Sequence, residues 1–326
     1  MKRLIFPLLL ISLISCKGTD KRQKTVNEKP VNTVQVPVFN ADSAYVFVKK
    51  QVDFGSRVPQ TPAHKACLEY LKQMLEKYGA DVTVQNGSGQ LYDGKSVEIK
   101  NIIGSFNSEA TNRILLCSHW DTRPFADQDK DYSKRENPIL GANDGASGVG
   151  VLLEVARNLQ KLPQNLGIDI IFFDVEDYGV PEFYMGNHDA DTWCLGSTYW
   201  AKNPHKSGYK ANYGILLDMV GASAATFYQE YYSLDYARNI VENVWNTAQE
   251  LGFEAYFIAR QGGAIMDDHL PINRFLKIPC IDIIQLDKNS STGFAQYWHT
   301  MDDNVNNIDK NTLYAVGTTI LHMVYK

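Results

Sequence analysis

The feature that most constrains this chain is a series of short apolar runs, rich in β-branched residues, that alternate with amphipathic helical patterns. The apolar runs predict strands at residues 99–105, 114–118, 168–173, 213–219, 255–258 and 280–286. Apolar residues at helical spacing predict helices at residues 44–52, 64–78, 148–160, 235–251 and 309–324. No internal repeat interrupts the series after residue 41.

Strands that are apolar on both faces and are separated by helices are typical of a sheet covered on both sides. A chain of 326 residues with 44% hydrophobic residues is long enough to form one large core. We therefore expect a single α/β domain with a mixed, mostly parallel central sheet and helices on both faces.

Residues 1–16 are predicted to be an export signal. A basic pair precedes an apolar stretch at residues 4–14, and LISC at residues 13–16 resembles a bacterial lipobox. The stretch is shorter than the roughly 20 residues that a membrane-spanning helix needs. We expect the protein to be exported to the periplasm or cell envelope and held at the membrane only by a lipid on Cys16.

The rest of the chain divides into two segments by composition. Residues 17–40 are polar, Lys-rich and interrupted by Pro30 and Pro37, which is typical of a flexible tether. Residues 41–326 carry all the strand and helix patterns and are predicted to form the folded domain.

Several functional classes lack their sequence signatures. The net charge is −5 and the basic residues are scattered, so we expect no nucleic-acid partner. The chain has no GxSxG or HExxH motif, and GASGVG at residues 145–150 is neither a dinucleotide fingerprint nor a P-loop. The cysteines form no CxxC pair, so carboxylates and histidines must hold any metal. Cys117 and Cys280 lie in predicted strands, which favours buried free thiols.

Polar side chains follow several of the predicted strands. His119 and Asp121 come after the second run, Glu176 and Asp177 after the third, and Asp218 lies at the end of the fourth. Ligands of open α/β sheets bind beyond the carboxyl ends of the strands. These residues are therefore expected to meet at one edge of the sheet.

Each of these acids has a simple structural explanation by itself. Asp144, for example, could be merely a helix cap. A folded core nevertheless has little reason to gather Asp144, Glu176, Asp177, Asp218 and His299 unless a cation neutralises them. Carboxylates and imidazole with an open position are the ligands of catalytic zinc, so zinc is the first expectation. Adjacent side chains at a strand end point in different directions, so one acid can bind metal while the other carries a proton.

The motifs resemble the zinc aminopeptidase superfamily. Its general pattern is carried by SHWD from Ser118, GANDGASGVGVLLEVAR from Gly141, FFDVED from Phe172 and LLDMVGA from Leu216. Near the C-terminus, MDDHLP at residues 266–271, KIP at 277–279 and YWHTMDDN at 297–304 are similar to the zinc-dependent glutaminyl-peptide cyclotransferases within it. Trp298 directly before the histidine is the most specific part of this resemblance.

The resemblance implies an enzyme that converts N-terminal glutamine of peptides or proteins to pyroglutamate with release of ammonia. It implies that one zinc is held by Asp144, Asp177 and His299 and that Glu176 transfers the proton. It also implies an acidic network of Asp218 and Asp267 and pocket walls formed by Trp193 and Trp298. A second metal site is optional: His119 and Asp218 would form it with Asp144 as the bridge, and Asp121 would orient His119. The expected assembly is a monomer, and residues 41–326 would be the catalytic domain.

This chain departs from that family at two positions. Many relatives carry Glu-Glu where Glu176 and Asp177 stand, so the ligand arm is one methylene shorter. Many animal cyclases place Gln where this chain has Met266. The alternatives are a zinc aminopeptidase, in which Glu176 would activate water to cleave the first peptide bond, and a noncatalytic relative without metal.

Overall fold

The computed structural model describes residues 35–187 and 192–326. The predicted signal segment with Cys16, and most of the predicted tether, lie outside the described residues. The helices are α1 (Ala41–Val52), α2 (Pro62–Lys77), α3 (Ala146–Asn158), α4 (Leu195–Lys202), α5 (Tyr231–Glu250), the short α6 (His269–Pro271), which continues into a π-helical turn at Ile272–Leu276, and α7 (Lys310–Tyr325). The strands are β1 (Asp81–Gln90), β2 (Ser96–Phe106), β3 (Asn112–His119), β4 (Leu166–Phe173), β5 (Tyr213–Asp218), β6 (Phe227–Gln229), β7 (Phe257–Gln261) and β8 (Cys280–Ile284).

The central sheet has the strand order β1-β2-β4-β3-β5-β8. β4, β3, β5 and β8 are mutually parallel, whereas β1 and β2 join one edge in antiparallel pairing. β6 and β7 form a separate parallel pair. The mixed, mostly parallel α/β sheet predicted from the sequence is thus confirmed.

The parallel strands end in register at one edge of the sheet. His119, the last residue of β3, lies beside Phe173, the last residue of β4. Asp218, the last residue of β5, lies beside Ile284 of β8. This register collects the polar residues that follow each strand at a single edge, as expected for open α/β sheets.

Both faces of the sheet are covered by helices. Consecutive residues of β3, such as Leu115 and Leu116, belong to two different apolar clusters, because successive side chains of a strand point to opposite faces of the sheet. The larger cluster packs α1, α2, α3, α5 and α7 against one face, and the smaller includes α4 with Trp200 on the other. Each fully buried aliphatic side chain contributes about 1.5–3 kcal/mol through the hydrophobic effect.

Most helix boundaries differ from the predicted ones by a few residues for identifiable reasons. α1 begins at Ala41 because the Asn40 side chain accepts a hydrogen bond from the N–H of Ser43. α2 begins at Pro62 because Thr61 caps it and proline fits the first helical position. Phe39, from the segment predicted to be the tether, is buried against Gly317 of α7.

β1, β6, α4 and the short α6 were not predicted. The sequence of β1, DVTVQNGSGQ, is mostly polar and is only partly buried, because β1 is an edge strand that pairs on one side. α4 is short, and its N-cap residue, Cys194, makes no side-chain hydrogen bond to the helix, so α4 lacks the usual start signal.

Cys67, Cys117, Cys194 and Cys280 are buried free thiols, as predicted for Cys117 and Cys280. Among the described residues, the helices are all too short or too polar to cross a bilayer.

Candidate active site

Two sharp turns present the acidic residues at the ends of β4 and β5. Val175 and Met219 adopt left-handed backbone conformations with φ of 55° and 49°, which side chains with a Cβ rarely adopt. Such strained residues cluster at functional sites, where the surrounding structure holds them in place. The first turn carries Glu176 and Asp177, and the second follows Asp218 directly.

A glycine in the turn before α3 allows Asp144 to lie close to His119. Gly145 has φ of 84°, and a Cβ at this position would lie 2.8 Å from Cε1 of His119. Asp303 accepts hydrogen bonds from the N–H groups of Asn143 and Asp144 at 2.8 and 3.0 Å. The position of Asp144 is therefore fixed by its backbone as well as by its carboxylate.

Asp144, Asp177 and His299 converge as the sequence predicted. Nε2 of His299 lies 3.2 Å from Oδ1 of Asp177 and 3.5 Å from Oδ2 of Asp144. Ligands at about 2.1 Å in a tetrahedral zinc site stand roughly 3.4 Å apart, so these spacings fit that ion. Neither oxygen of buried Asp177 accepts a hydrogen bond from the described residues. A divalent cation would satisfy both the charge and these oxygens.

The carboxylates have strong effects on the titration of His299. Burial alone would lower its pKa, but Asp177, Asp127 and Asp144 outweigh burial and raise it to about 10. Conversely, burial would raise the pKa of Asp144, but His119 and His299 lower it well below its usual range. The site attracts positive charge, whether the charge is a proton or a metal ion.

A second group, His119, Asp144 and Asp218, shares Asp144 with the first. Nε2 of His119 lies 3.0 Å from Asp144 and 3.2 Å from Asp218. Asp121 lies behind this group, with Oδ1 3.6 Å from Nδ1 of His119. Its carboxylate also accepts hydrogen bonds from the N–H groups of Glu176 and Asp177. Asp121 thus links the histidine to the turn that carries both acids.

Glu176 belongs to a different cluster from Asp177, together with Cys194 and Asp267. The Cys194 thiol donates to Oε1 of Glu176 over 3.3 Å. Burial raises the pKa of Glu176 well above its usual value, and nearby Asp177 and Asp267 add to the effect. Glu176 is therefore a carboxylate suited to both accepting and returning a proton.

Acidic residues also lie behind Glu176. Burial raises the pKa of Asp267 to about 7, and the negative charge of Asp218 contributes to this increase. The pKa values of Asp218, Asp268 and Asp282 are raised as well, in each case mainly by burial. The predicted pairing of Asp218 and Asp267 beside Glu176 is thus part of a larger buried acidic group.

Arg123 and Asp127 border the site and were not predicted. Arg123 donates two hydrogen bonds to Asp127, at 2.6 and 2.8 Å, and Nη1 lies 3.6 Å from Oδ1 of Asp177. Asp127 in turn lies 3.6 Å from Nδ1 of His299. These residues follow the SHWD motif in a loop, and no spacing rule in a single sequence identifies them.

The site opens into a pocket of about 320 Å³ whose lining combines acids with apolar side chains. The Trp298 ring stacks on His299 at a centroid distance of 3.6 Å, and Trp193 lies parallel to His299 at 6.0 Å. Trp193, Trp298 and Phe294 line the wall, and Met266 is 55% exposed at the rim. Trp193 and Trp298, the two predicted pocket walls, therefore both border the pocket.

Residues 101–324 match the model of Peptidase family M28, so the chain belongs to this family. The match spans strands β3 to β8 and all of the site residues described above. The zinc aminopeptidase-like fold that the motifs implied is the fold of this family.

Within this family, several similar proteins are glutaminyl cyclases. The crystal structure of Tannerella forsythia glutaminyl cyclase is 53% identical with a TM-score of 0.87, covering 89% of this chain and 99% of that chain. Bovine glutaminyl-peptide cyclotransferase is 27% identical over 289 residues, which is 79% of this chain and 74% of the bovine protein. A Zn-dependent exopeptidase from Parabacteroides distasonis ATCC 8503 is 54% identical with a TM-score of 0.88, covering 90% of this chain and 100% of that chain.

Proposed function

We propose that this protein is a glutaminyl-peptide cyclotransferase that converts the N-terminal glutamine of peptides or proteins to pyroglutamate. The observation that carries the proposal is the separation of Glu176 from the neighbouring ligand group of Asp144, Asp177 and His299. A free carboxylate beside a cation site, in a pocket walled by tryptophans, suits an intramolecular acyl transfer. The likeness to the cyclase from Tannerella forsythia supports the same activity.

The residues fit a zinc cofactor, with Asp144, Asp177 and His299 as its ligands. When bound there, zinc would supply a Lewis acid for the γ-carbonyl oxygen of the substrate glutamine. We propose one such ion. His119 would then contact Asp144 and Asp218 without binding the metal, and Asp218 would extend the acidic group around Glu176.

The protein's own residues would bind and orient the substrate. Trp298 and Trp193 would flank the glutamine side chain and exclude water from it. The α-amine would lie near Glu176 and the acidic group of Asp218 and Asp267, since an amine is attracted to carboxylates. This arrangement brings the amine close to the γ-carbonyl carbon of the same residue.

The reaction balances with a single proton transfer. The α-nitrogen forms a bond to the γ-carbonyl carbon, and the bond from that carbon to the amide nitrogen breaks. Glu176 takes one proton from the α-amine and returns it to the departing nitrogen, which leaves as ammonia. No water is consumed.

Product analysis tests this proposal. A glutamine-led peptide should lose about 17 Da, the mass of ammonia, while its chain length stays unchanged. An aminopeptidase would instead release free glutamine and leave a peptide that is one residue shorter. Finding only the shorter peptide would overturn the proposed activity.

We further propose that the enzyme is an exported, monomeric lipoprotein anchored at Cys16. The basic pair, apolar stretch and LISC sequence of residues 1–16 support export and the lipid anchor. Metabolic labelling with a fatty acid should modify the wild-type chain and leave Cys16→Ser unlabelled. Equal labelling of both chains would contradict anchoring at this residue.

A further inference from the structure

A buried thiol contacts the carboxylate that we assign to proton transfer. Cys194 donates from Sγ to Oε1 of Glu176 over 3.3 Å, and its N–H donates to the Glu176 carbonyl oxygen over 2.9 Å. The next residue, Leu195, donates its N–H to the carbonyl oxygen of Val175 over 3.0 Å. The turn that carries Glu176 is therefore fastened to residues 194–195 at three points.

The backbone at Cys194 is unusual for a residue with a side chain. It has φ of 55° and ψ of 36°, the left-handed region that favours glycine. Glycine would relieve the strain but would offer no donor to Glu176. Strain of this kind persists where surrounding contacts hold the residue for a functional reason.

We propose that Cys194 is a positioning residue for the cyclisation, whose thiol fixes one oxygen of Glu176 and directs the other toward the substrate amine. This inference rests on the proposed cyclase function. The thiol contacts Oε1, and Glu176 lines the pocket, which leaves Oε2 for the substrate. The residue directly before Cys194 is Trp193, which lines the pocket wall.

A thiol is well suited to this task. An S–H group is a weak donor, so it orients a carboxylate without greatly stabilising the anion and weakening it as a base. Burial and the nearby charges of Glu176 and Asp268 raise the pKa of Cys194 well above its usual value, so the group stays a neutral donor. A hydroxyl in the same place would keep the orientation with a stronger bond.

Three variants test the proposal. Cys194→Ala removes the donor, Cys194→Ser keeps one, and Cys280→Ala removes a buried thiol at the amino end of β8, away from the site. We expect Cys194→Ala to lower kcat about tenfold, with KM and bound zinc unchanged, since small errors in orientation slow catalysis by such factors. Cys194→Ser should recover most of this loss. Cys280→Ala should keep the wild-type kcat even where its thermal stability falls.

Wild-type kcat in Cys194→Ala, or an equal loss in Cys194→Ala and Cys194→Ser, would overturn the proposal. A second measurement depends neither on activity nor on whether Cys194→Ala folds. The S–H stretching band that Cys194→Ser removes should shift to higher frequency in Glu176→Ala, because the acceptor is lost. A band that does not shift would mean that the contact is absent, whereas failure of the wild type to release ammonia would refute the cyclase function instead.

Discussion

At the residue scale, the chemistry depends on two adjacent acids that enter different clusters. Asp177 joins Asp144 and His299, while Glu176 joins Cys194 and Asp267. Asp121 accepts hydrogen bonds from both of their N–H groups, which fixes the turn from which they diverge. One acid is thereby available as a ligand and the other as a proton carrier.

Replacing Glu176 with Gln should abolish most turnover without loss of zinc. The amide keeps the shape of the side chain but cannot take the proton, and a general acid–base group contributes about 10²- to 10⁴-fold to rate. Ammonia release and metal content measure the two effects. Glu109→Gln, at an exposed position, is the matched control and should match the wild type. Near-wild-type turnover in Glu176→Gln would show that another group moves the proton.

Asp121→Asn should weaken zinc binding, activity or both by about 10- to 100-fold, the usual effect of losing a residue that orients a ligand. The amide oxygen can still accept one hydrogen bond, but the side chain can no longer accept from the N–H groups of both Glu176 and Asp177. The turn that carries the zinc ligand Asp177 is therefore held less firmly. Competition with a chelator measures the zinc affinity, and Asp131→Asn, an exposed acid, is the control. Unchanged zinc affinity and kcat would leave Asp121 with only a structural role.

At the scale of elements, the site depends on strands whose ends are held in register. Asp169 of β4 accepts hydrogen bonds from Arg113 of β3, Ser105 of β2 and Tyr209, at 2.6–2.7 Å. This buried group joins three strands below the edge where the acids lie. Its removal should therefore disturb the fold before it disturbs the chemistry.

Asp169→Asn should lower the free energy of unfolding by about 3–5 kcal/mol, because it leaves the buried Arg113 without its partner. Burial would raise the pKa of Asp169, but Arg113, Ser105 and Tyr209 outweigh burial and lower it. A lowered folded pKa gives stability that is present above the unfolded pKa, about 3.9, and is lost as pH falls through the folded pKa.

Urea denaturation at pH 7 and near pH 3.5 tests both parts of this prediction. The difference between the wild type and Asp169→Asn should shrink at the lower pH. Asp53→Asn breaks an exposed pair with Lys49 and should cost about 0.5 kcal/mol or less. A difference that stays constant with pH would show that the charge of Asp169 does not stabilise the fold.

The elements that the sequence predicted correctly are those with strong apolar periodicity. The parallel strands β3, β4, β5 and β8 are buried on both faces and therefore stand out in the sequence. β1 was missed because an exposed edge strand need not be apolar, and α4 was missed because it has no cap signal. Periodicity reports burial, so it fails where an element is held mainly by hydrogen bonds.

At the scale of the whole molecule, sequence position predicted the meeting of Asp144, Asp177, Asp218 and His299, because parallel strands bring their carboxyl ends to one edge. It did not predict Arg123, Asp127 or Cys194. Their contacts depend on how loops fold back over that edge, which no local pattern encodes.

Zinc should stabilise the whole domain as well as activate it. Free zinc at 100 times its Kd should add about 2.7 kcal/mol to the free energy of unfolding, because it binds only the folded ligand group. The Tm of the wild type should fall when a chelator is added and return with zinc. His299→Ala should show no such response, and a zinc-dependent Tm in that variant would contradict the assigned ligands.

The central claim is that the substrate's own α-amine, and not water, attacks the γ-carbonyl. Turnover of a glutamine-led peptide in water enriched in ¹⁸O, followed by mass analysis of the products, tests it most directly. The account predicts a pyroglutamyl peptide that contains no heavy oxygen. Heavy oxygen in the side chain of a glutamyl peptide would show that water attacks the γ-carbonyl, and heavy oxygen in free glutamine would show that water cleaves the peptide bond. Either result would contradict the account.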